Sequence, residues 1–484
     1  MTTFLRPALL LTALAVLLPA GSHAAVRDTL ADPATLLSVD GRAYPTRLMD
    51  IMFRAALDAR RDITWTQFVD EVAENQLMAK QAVAEMGRDK LMAADRVGFA
   101  PEIVLQDQYL SLVRRHFFKQ IDATVRSLPG GNLDNVITRK LPRDDANLKE
   151  LMTLRDRGEV KLTPAQADLA KKTVLAVARM PDGSTQDVTY HDLMQRENVQ
   201  GRTRLLQEKD YAYLDTRVQT RIEGLFILWW MDKHSGMSAQ DQALLRTMLE
   251  EKHLRENHML LLGVVSAMHE DLTPALEKMQ KTVTKQEVAA WYAKNKEEFR
   301  QVEKVRARHI RCASEADCNA AAAAVAKGMD FSAAARQFSI APSKGATPAG
   351  SLGWVLRETK NMPWVHQYAL IQPKGVVSAP ARAPEDANGR ADWEVVLVDE
   401  RIEGYSPPES ETVRYLAVQE IARKKLIEQY IRTRDALEAK ADIRRNGKLL
   451  AEREAILARM PRPKAPPPQD DHGHGHGHGH GHAH

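Results

Sequence analysis

Cysteine, net charge and long apolar runs are all scarce in this sequence, and each shortage removes a class of protein. Of 484 residues only Cys312 and Cys318 are cysteine. So few, so close together, suggest a short disulfide in an exported protein more than a metal pair or a catalytic thiol, with two free buried thiols as the alternative. The 68 basic and 64 acidic side chains leave a net charge of +4, too mild to indicate a nucleic-acid partner. Past the N-terminus the most apolar stretch is Leu225-Phe-Ile-Leu-Trp-Trp230, far short of the roughly 20 residues that span a bilayer. There is no Gly-rich phosphate loop, no nucleophile elbow and no HExxH zinc pattern, so a secreted enzyme of another chemistry has little support.

What is present begins with an address. Met1 to Arg6 is a short basic segment, Pro7 to Pro19 is apolar, and Ala20 to Ala25 is small-residue rich, with Ser22 and Ala24 at the −3 and −1 places of a cleavage site. Residues 1–24 are therefore expected to be a signal peptide. The mature chain is expected to be exported, without a transmembrane segment.

The length suits roughly two or three domains. From 25 to 283 the composition and the helical spacing of Phe68, Val69, Ala73, Leu77 and Met78 predict a largely helical region. Two short pieces within it are alike. Leu37 to Gly41 is followed by Thr46, and Val174 to Gly183 by Thr189; each reads as a strand, a Gly turn and an N-capped helix, the pattern of an old duplication. Thr284 and Glu287 form a capping box that opens a linker helix over 284–302. From 303 to 403 strands and Gly/Pro turns predict a compact α+β domain. A helix follows over 404–446, and a Pro- and His-rich segment over 447–484 is expected to be disordered.

Within 284–403 the motifs resemble a parvulin-type (PpiC/rotamase) peptidyl-prolyl isomerase domain. The capped helix with Trp291-Tyr292, the strand Val305 to Ile310, Gly328 to Phe331 with Ala335 to Ser339, the turn Gly350-Ser-Leu-Gly-Trp354 and the segment Pro373 to Pro380 occur in that family's order and spacing. The helical region before the domain is similar in arrangement to the periplasmic chaperones of the SurA/PpiD type. The resemblance implies an α+β fold: a chaperone-like, substrate-binding helical region at 25–283, a parvulin domain at 303–403, a C-terminal helix and a disordered tail.

It also implies a site. Prolyl isomerisation needs no nucleophile and no cofactor, only an apolar basin with a few polar groups around a twisting amide. Carried over, the family's residues fall on His309, Leu352, Trp364 and Glu394 as the catalytic set, with Lys360, Met362 and Trp354 lining the substrate. Trp364 is expected to offer its ring face to a proline. Two positions depart from the family. Its Cys or Asp falls on Ala341, and its second His falls on Glu394. That leaves room for a weak isomerase, for His309 as a mere core histidine and for Glu394 as a solvated strand residue.

Finally His472, His474, His476, His478, His480, His482 and His484 alternate with Gly and one Ala. Neutral imidazoles on so pliant a chain suit Ni, Zn or Cu, with affinity falling below about pH 6.5; a solubilising tail with incidental metal affinity is the bland alternative. The leading expectation is a periplasmic peptidyl-prolyl isomerase and chaperone acting on unfolded, Pro-containing exported chains. The rival is a catalytically silent parvulin-fold chaperone or metal-handling protein that uses the tail.

Overall fold

A computed structural model describes residues 27–93, 101–155, 159–265, 272–387 and 389–459. The expected signal peptide and the histidines of the tail lie outside these residues. No helix among the described residues is long and apolar enough to cross a membrane. Two compact units emerge, one made of the chain up to Ala275 together with Ile427 onward, the other of Leu276–Leu426. Their strands, in chain order, are β1 (Thr35–Val39), β2 (Arg42–Pro45), β3 (Ile137–Lys140), β4 (Val174–Arg179), β5 (Thr185–Thr189), β6 (Arg300–Cys312), β7 (Ser351–Leu356), β8 (Ala381–Arg382), β9 (Trp393–Tyr405) and β10 (Ile443–Arg445).

The first unit is mainly helical, as expected, with two small sheets of order β10-β1-β2 and β3-β4-β5. Asp40 and Gly41 both take positive φ (49° and 82°), which lets β1 turn back into β2 across two residues. Leu36, Leu37 and Val39 of β1 are fully buried in a core that also holds Phe53, Trp65 and Phe68. The two similar pieces both run strand, turn, strand, helix, but only one helix is capped as foreseen. Thr189 accepts from the backbone of Asp192 and Asp192 returns the bond, whereas the helix Thr46–Ala59 has Pro45 at its cap position and no side-chain cap.

The chain's far end corrects another expectation. Residues 443–459 are neither a continuation of the preceding helix nor part of a disordered tail. Ile443 of β10 pairs with Val39 and Arg445 with Leu37. Asn446 then caps a helix, Gly447–Arg459, by accepting from Leu449 N at 3.1 Å. The reason is an apolar stripe: Leu450 is buried in the first unit's core, with Leu449 and Leu457 packed against it. Arg453 adds a bidentate bond to Asp50 at 3.0 and 2.9 Å.

The second unit is the expected α+β domain, an antiparallel sheet of order β7-β6-β9-β8. Alternation along β6 and β9 sends residues to two faces. Ile310, Cys312 and Val395 pack under the helices Glu315–Ala326 and Phe331–Phe338. Ala307, Val396 and Val398 pack under the helix Trp364–Ile371. Cys312 and Cys318 are joined, both fully buried, with Cα atoms 5.5 Å apart, which ties the end of β6 to the first of those helices.

The segment expected to be a linker is part of this unit's body. Its helix, Lys285–Asn295, has the foreseen capping box, and Trp291 and Tyr292 pack on Phe299 with centroids 5.7 and 5.9 Å apart just before β6 begins. Glu287 also meets the Lys425 ammonium at 2.7 Å. That bond, with the bonds from Thr284, holds the Glu287 carboxyl down at about 2. A depressed carboxyl contributes stability that is present above its ordinary value and lost as pH falls toward its folded one. Glu287→Gln should therefore lower the Tm of this unit at pH 7, and the difference from the parent should close between about pH 4.5 and about pH 2 in thermal denaturation.

Candidate functional site

On the sheet face beneath the helix Trp364–Ile371, the register of β6 on β9 sets His309 opposite Val396 and Arg311 opposite Glu394. His309, Arg311 and Glu394 thus lie on one face as near and diagonal neighbours. Glu394 is only 1% exposed. One of its oxygens meets His309 Nδ1 at 2.7 Å and the other accepts from Arg311 Nε at 2.6 Å. It is not a solvated strand residue, because burying a carboxylate is tolerable only with such partners.

The other ring nitrogen of His309 meets Ser343 Oγ at 2.6 Å. By correspondence the family's facing Cys or Asp falls on Ala341, which carries no polar group. Ala341 is buried, and the hydroxyl two residues later fills that role. Ser343 was missed because it lies in a loop whose path no periodicity predicts. The fold holds it through Gly350, whose N–H donates to Ser343 O at 2.8 Å and whose carbonyl accepts from His309 N at 2.8 Å. Gly350 has φ +79°, and a Cβ there would lie 2.5 Å from the His309 carbonyl, so no other residue fits. His309 itself is 3% exposed, whereas Ser343 is half-buried. The chain Arg311–Glu394–His309–Ser343 therefore has its two middle members buried and its two ends, Arg311 and Ser343, half-buried.

Beside it lies an apolar wall. Leu352, Met362, Trp364 and Tyr368 are partly exposed and pack on the core of Val302, Val305, Ala307 and Val396. Trp364 is stacked on Tyr368, with centroids 5.2 Å apart and planes 6° apart. One face of its ring is thus covered, so the wall is the pair and not Trp364 alone. Two expected residues are elsewhere. Lys360 is exposed in the turn after β7. Trp354 is 40% exposed on the sheet face away from Val355, with the Lys304 ammonium 4.9 Å from its ring centroid.

The wall's helix brings one further group that sequence reasoning passed over. His366 is half-buried, and burial, with a smaller electrostatic contribution from His309, pushes its pKa below the usual histidine range. Among the described residues no group of three or more His, Cys, Asp or Glu side chains is placed to hold a metal ion.

A four-stranded antiparallel sheet, helices on both faces, an apolar wall and a polar chain ending in a hydroxyl define a parvulin-type α+β domain. Residues 283–414 match the family described as the PPIC-type PPIase domain, and this chain carries a peptidyl-prolyl cis-trans isomerase domain over that span. Solved structures to which the chain is similar include one from work on PEB4 and Cj1289, described as SurA-like chaperones of Campylobacter jejuni. That pair is 21% identical, covering 53% of this chain and 96% of that one, at a TM-score of 0.19. Others are PrsA from Bacillus subtilis (17% identical, 58% and 90% covered, TM-score 0.17) and the foldase protein PrsA from Streptococcus pneumoniae (12%, 53% and 82%, 0.20). No curated protein sequence matches the chain.

Two outcomes check this geometry. Because burial favours the neutral form of His366, its stabilising effect is full above the ordinary value near 6.5 and lost as pH falls below it. A ring titration by NMR should place His366 below that value, and substituting His309→Gln should move it back up. Glu394→Ala leaves the buried His309 and the part-exposed Arg311 without their shared acceptor and should destabilise the domain by about 1.5–3 kcal/mol in urea denaturation, the range for charge-assisted bonds.

Proposed function

We propose that the protein is an exported, periplasmic folding factor whose isomerase domain turns X–Pro bonds of unfolded chains while its helical unit holds other parts of the same clients. The observation that carries this reading is the hydrogen-bonded chain from Arg311 to Ser343 beside an apolar wall, inside the span that matches the isomerase family. Rotation about the X–Pro amide faces a barrier of roughly 18–20 kcal/mol because the C–N bond has partial double-bond character. A wall formed by Leu352, Met362 and the Trp364–Tyr368 stack would take the proline ring out of water. The twisted amide, whose nitrogen regains a lone pair, would meet the Ser343 hydroxyl.

In this reading Ser343 touches the substrate and His309 positions it. Glu394, the departure from the family pattern, fixes the orientation of the His309 ring as a carboxylate. This favours a working site over a silent one. The sequence-based expectation of a cleavable signal at 1–24 supports export, and His472 to His484 give the tail a place as a loose Ni, Zn or Cu ligand set.

The test is proline cis/trans exchange by NMR on a short X–Pro peptide with the whole mature chain. Acceleration is expected. Ser343→Ala should lower kcat/KM roughly three- to tenfold, the worth of one neutral hydrogen bond of about 0.5–1.5 kcal/mol. His309→Ala should cost a similar factor. If His309 acts through Ser343, the double variant should cost no more than the larger single. Folded protein that gives no acceleration would leave the domain a binding module only.

A further inference from the structure

In the first unit the helices Pro101–His116 and Tyr211–His234 flank a cleft of about 300 Å³, with Leu193 and Arg196 also lining it. Its apolar lining includes Leu110, Ile227 and Gly224. The helices approach closely at Gly224, where a Cβ would lie 3.1 Å from Leu110 Cδ1. Four arginines line the same cleft, and three are spoken for. Arg114 meets Glu223 at 3.4 Å, Arg196 meets Asp107 at 3.8 Å, and Arg217 meets Glu197 at 2.5 Å.

Arg221 differs. Its side chain is half-buried, it has no ion pair among the described residues, and its buried Nε has no hydrogen-bond partner. Burial and the adjacent Arg196 charge both push its pKa down; Asp192 and Asp107 offset this only in part. Asp192 is committed to the helix cap at Thr189, whose N–H and hydroxyl both donate to it. A guanidinium partly withdrawn from water without a counter-ion is costly, and an incoming anion would relieve that cost.

We propose that this cleft binds a carboxylate carried on an apolar peptide segment, anchored by the Arg221 guanidinium. The planar fork of a guanidinium matches the two oxygens of a carboxylate. The Leu110 and Ile227 wall rewards an apolar neighbour that a free inorganic anion lacks. A chain terminus and an Asp or Glu side chain share this chemistry. The site lies outside the isomerase unit, and the proposal does not rest on catalysis there.

The experiment uses the whole mature protein and a labelled apolar tetrapeptide in three forms, read by fluorescence anisotropy. One has a free C-terminal carboxylate, one is its amide, and one is the amide with a single internal Glu. The free-carboxylate form should bind at least about fivefold tighter than the amide, the scale of one partly screened charge-assisted bond. Whether the Glu form matches it separates a chain terminus from a side chain as the source. Arg221→Gln should abolish the preference while leaving proline exchange near the parent value and Tm no lower than the parent's, because the uncompensated charge is gone. Ser111→Glu, which places a competing carboxylate in the cleft lining, should also suppress it and raise Tm by giving Arg221 a partner. Equal binding of carboxylate and amide by the parent, or a preference that survives in folded Arg221→Gln, overturns the proposal.

Discussion

A carboxylate that is 1% exposed has to be answered, and the answer organises the second unit. Glu394 holds Arg311 with one oxygen and His309 with the other. Once His309 is held by one nitrogen, its second is aimed at Ser343, so a buried carboxylate and its ion pair are converted into the orientation of a half-buried hydroxyl. Such pairs contribute little net stability against an apolar replacement. Keeping one under a sheet makes better sense as positioning than as glue.

The two faces of that sheet divide the labour. Under the face with Ile310, Cys312 and Val395, helices and a buried disulfide make a closed core. Arg308 there is neutralised by Asp399 with bonds of 2.9 and 2.6 Å and is further held by Ser332. The opposite face leaves Leu352, Met362, Trp364 and Tyr368 only partly covered. Gly350 joins the two requirements, because its backbone bonds both His309 and Ser343 at a distance no side chain permits.

Much of this was readable along the chain. The capping box at Thr284 and Glu287, the strand carrying His309, the short cysteine bridge and the Gly350 turn are local signals, and each was met in the structure. The failures were of another kind. Family correspondence puts Trp354 and Lys360 in the site, but strand alternation sends Trp354 to the other face and the turn after β7 leaves Lys360 in solvent. The Pro- and His-rich composition of the final residues hides a helix that starts at 447, although Leu449, Leu450 and Leu457 form its apolar stripe.

Taken alone, the sequence determined what is set by neighbours within a few residues: helices and most of their caps, the α+β character of the later domain, and the motif order on which the family resemblance rests. Tertiary structure alone decided which distant groups meet. Ser343 reaches His309 across 34 residues and Glu394 across 85, and β10 completes a sheet begun some 400 residues earlier. Those pairings depend on register, on the path of a loop and on which buried charge needs a partner, and none of these leaves a period in the chain.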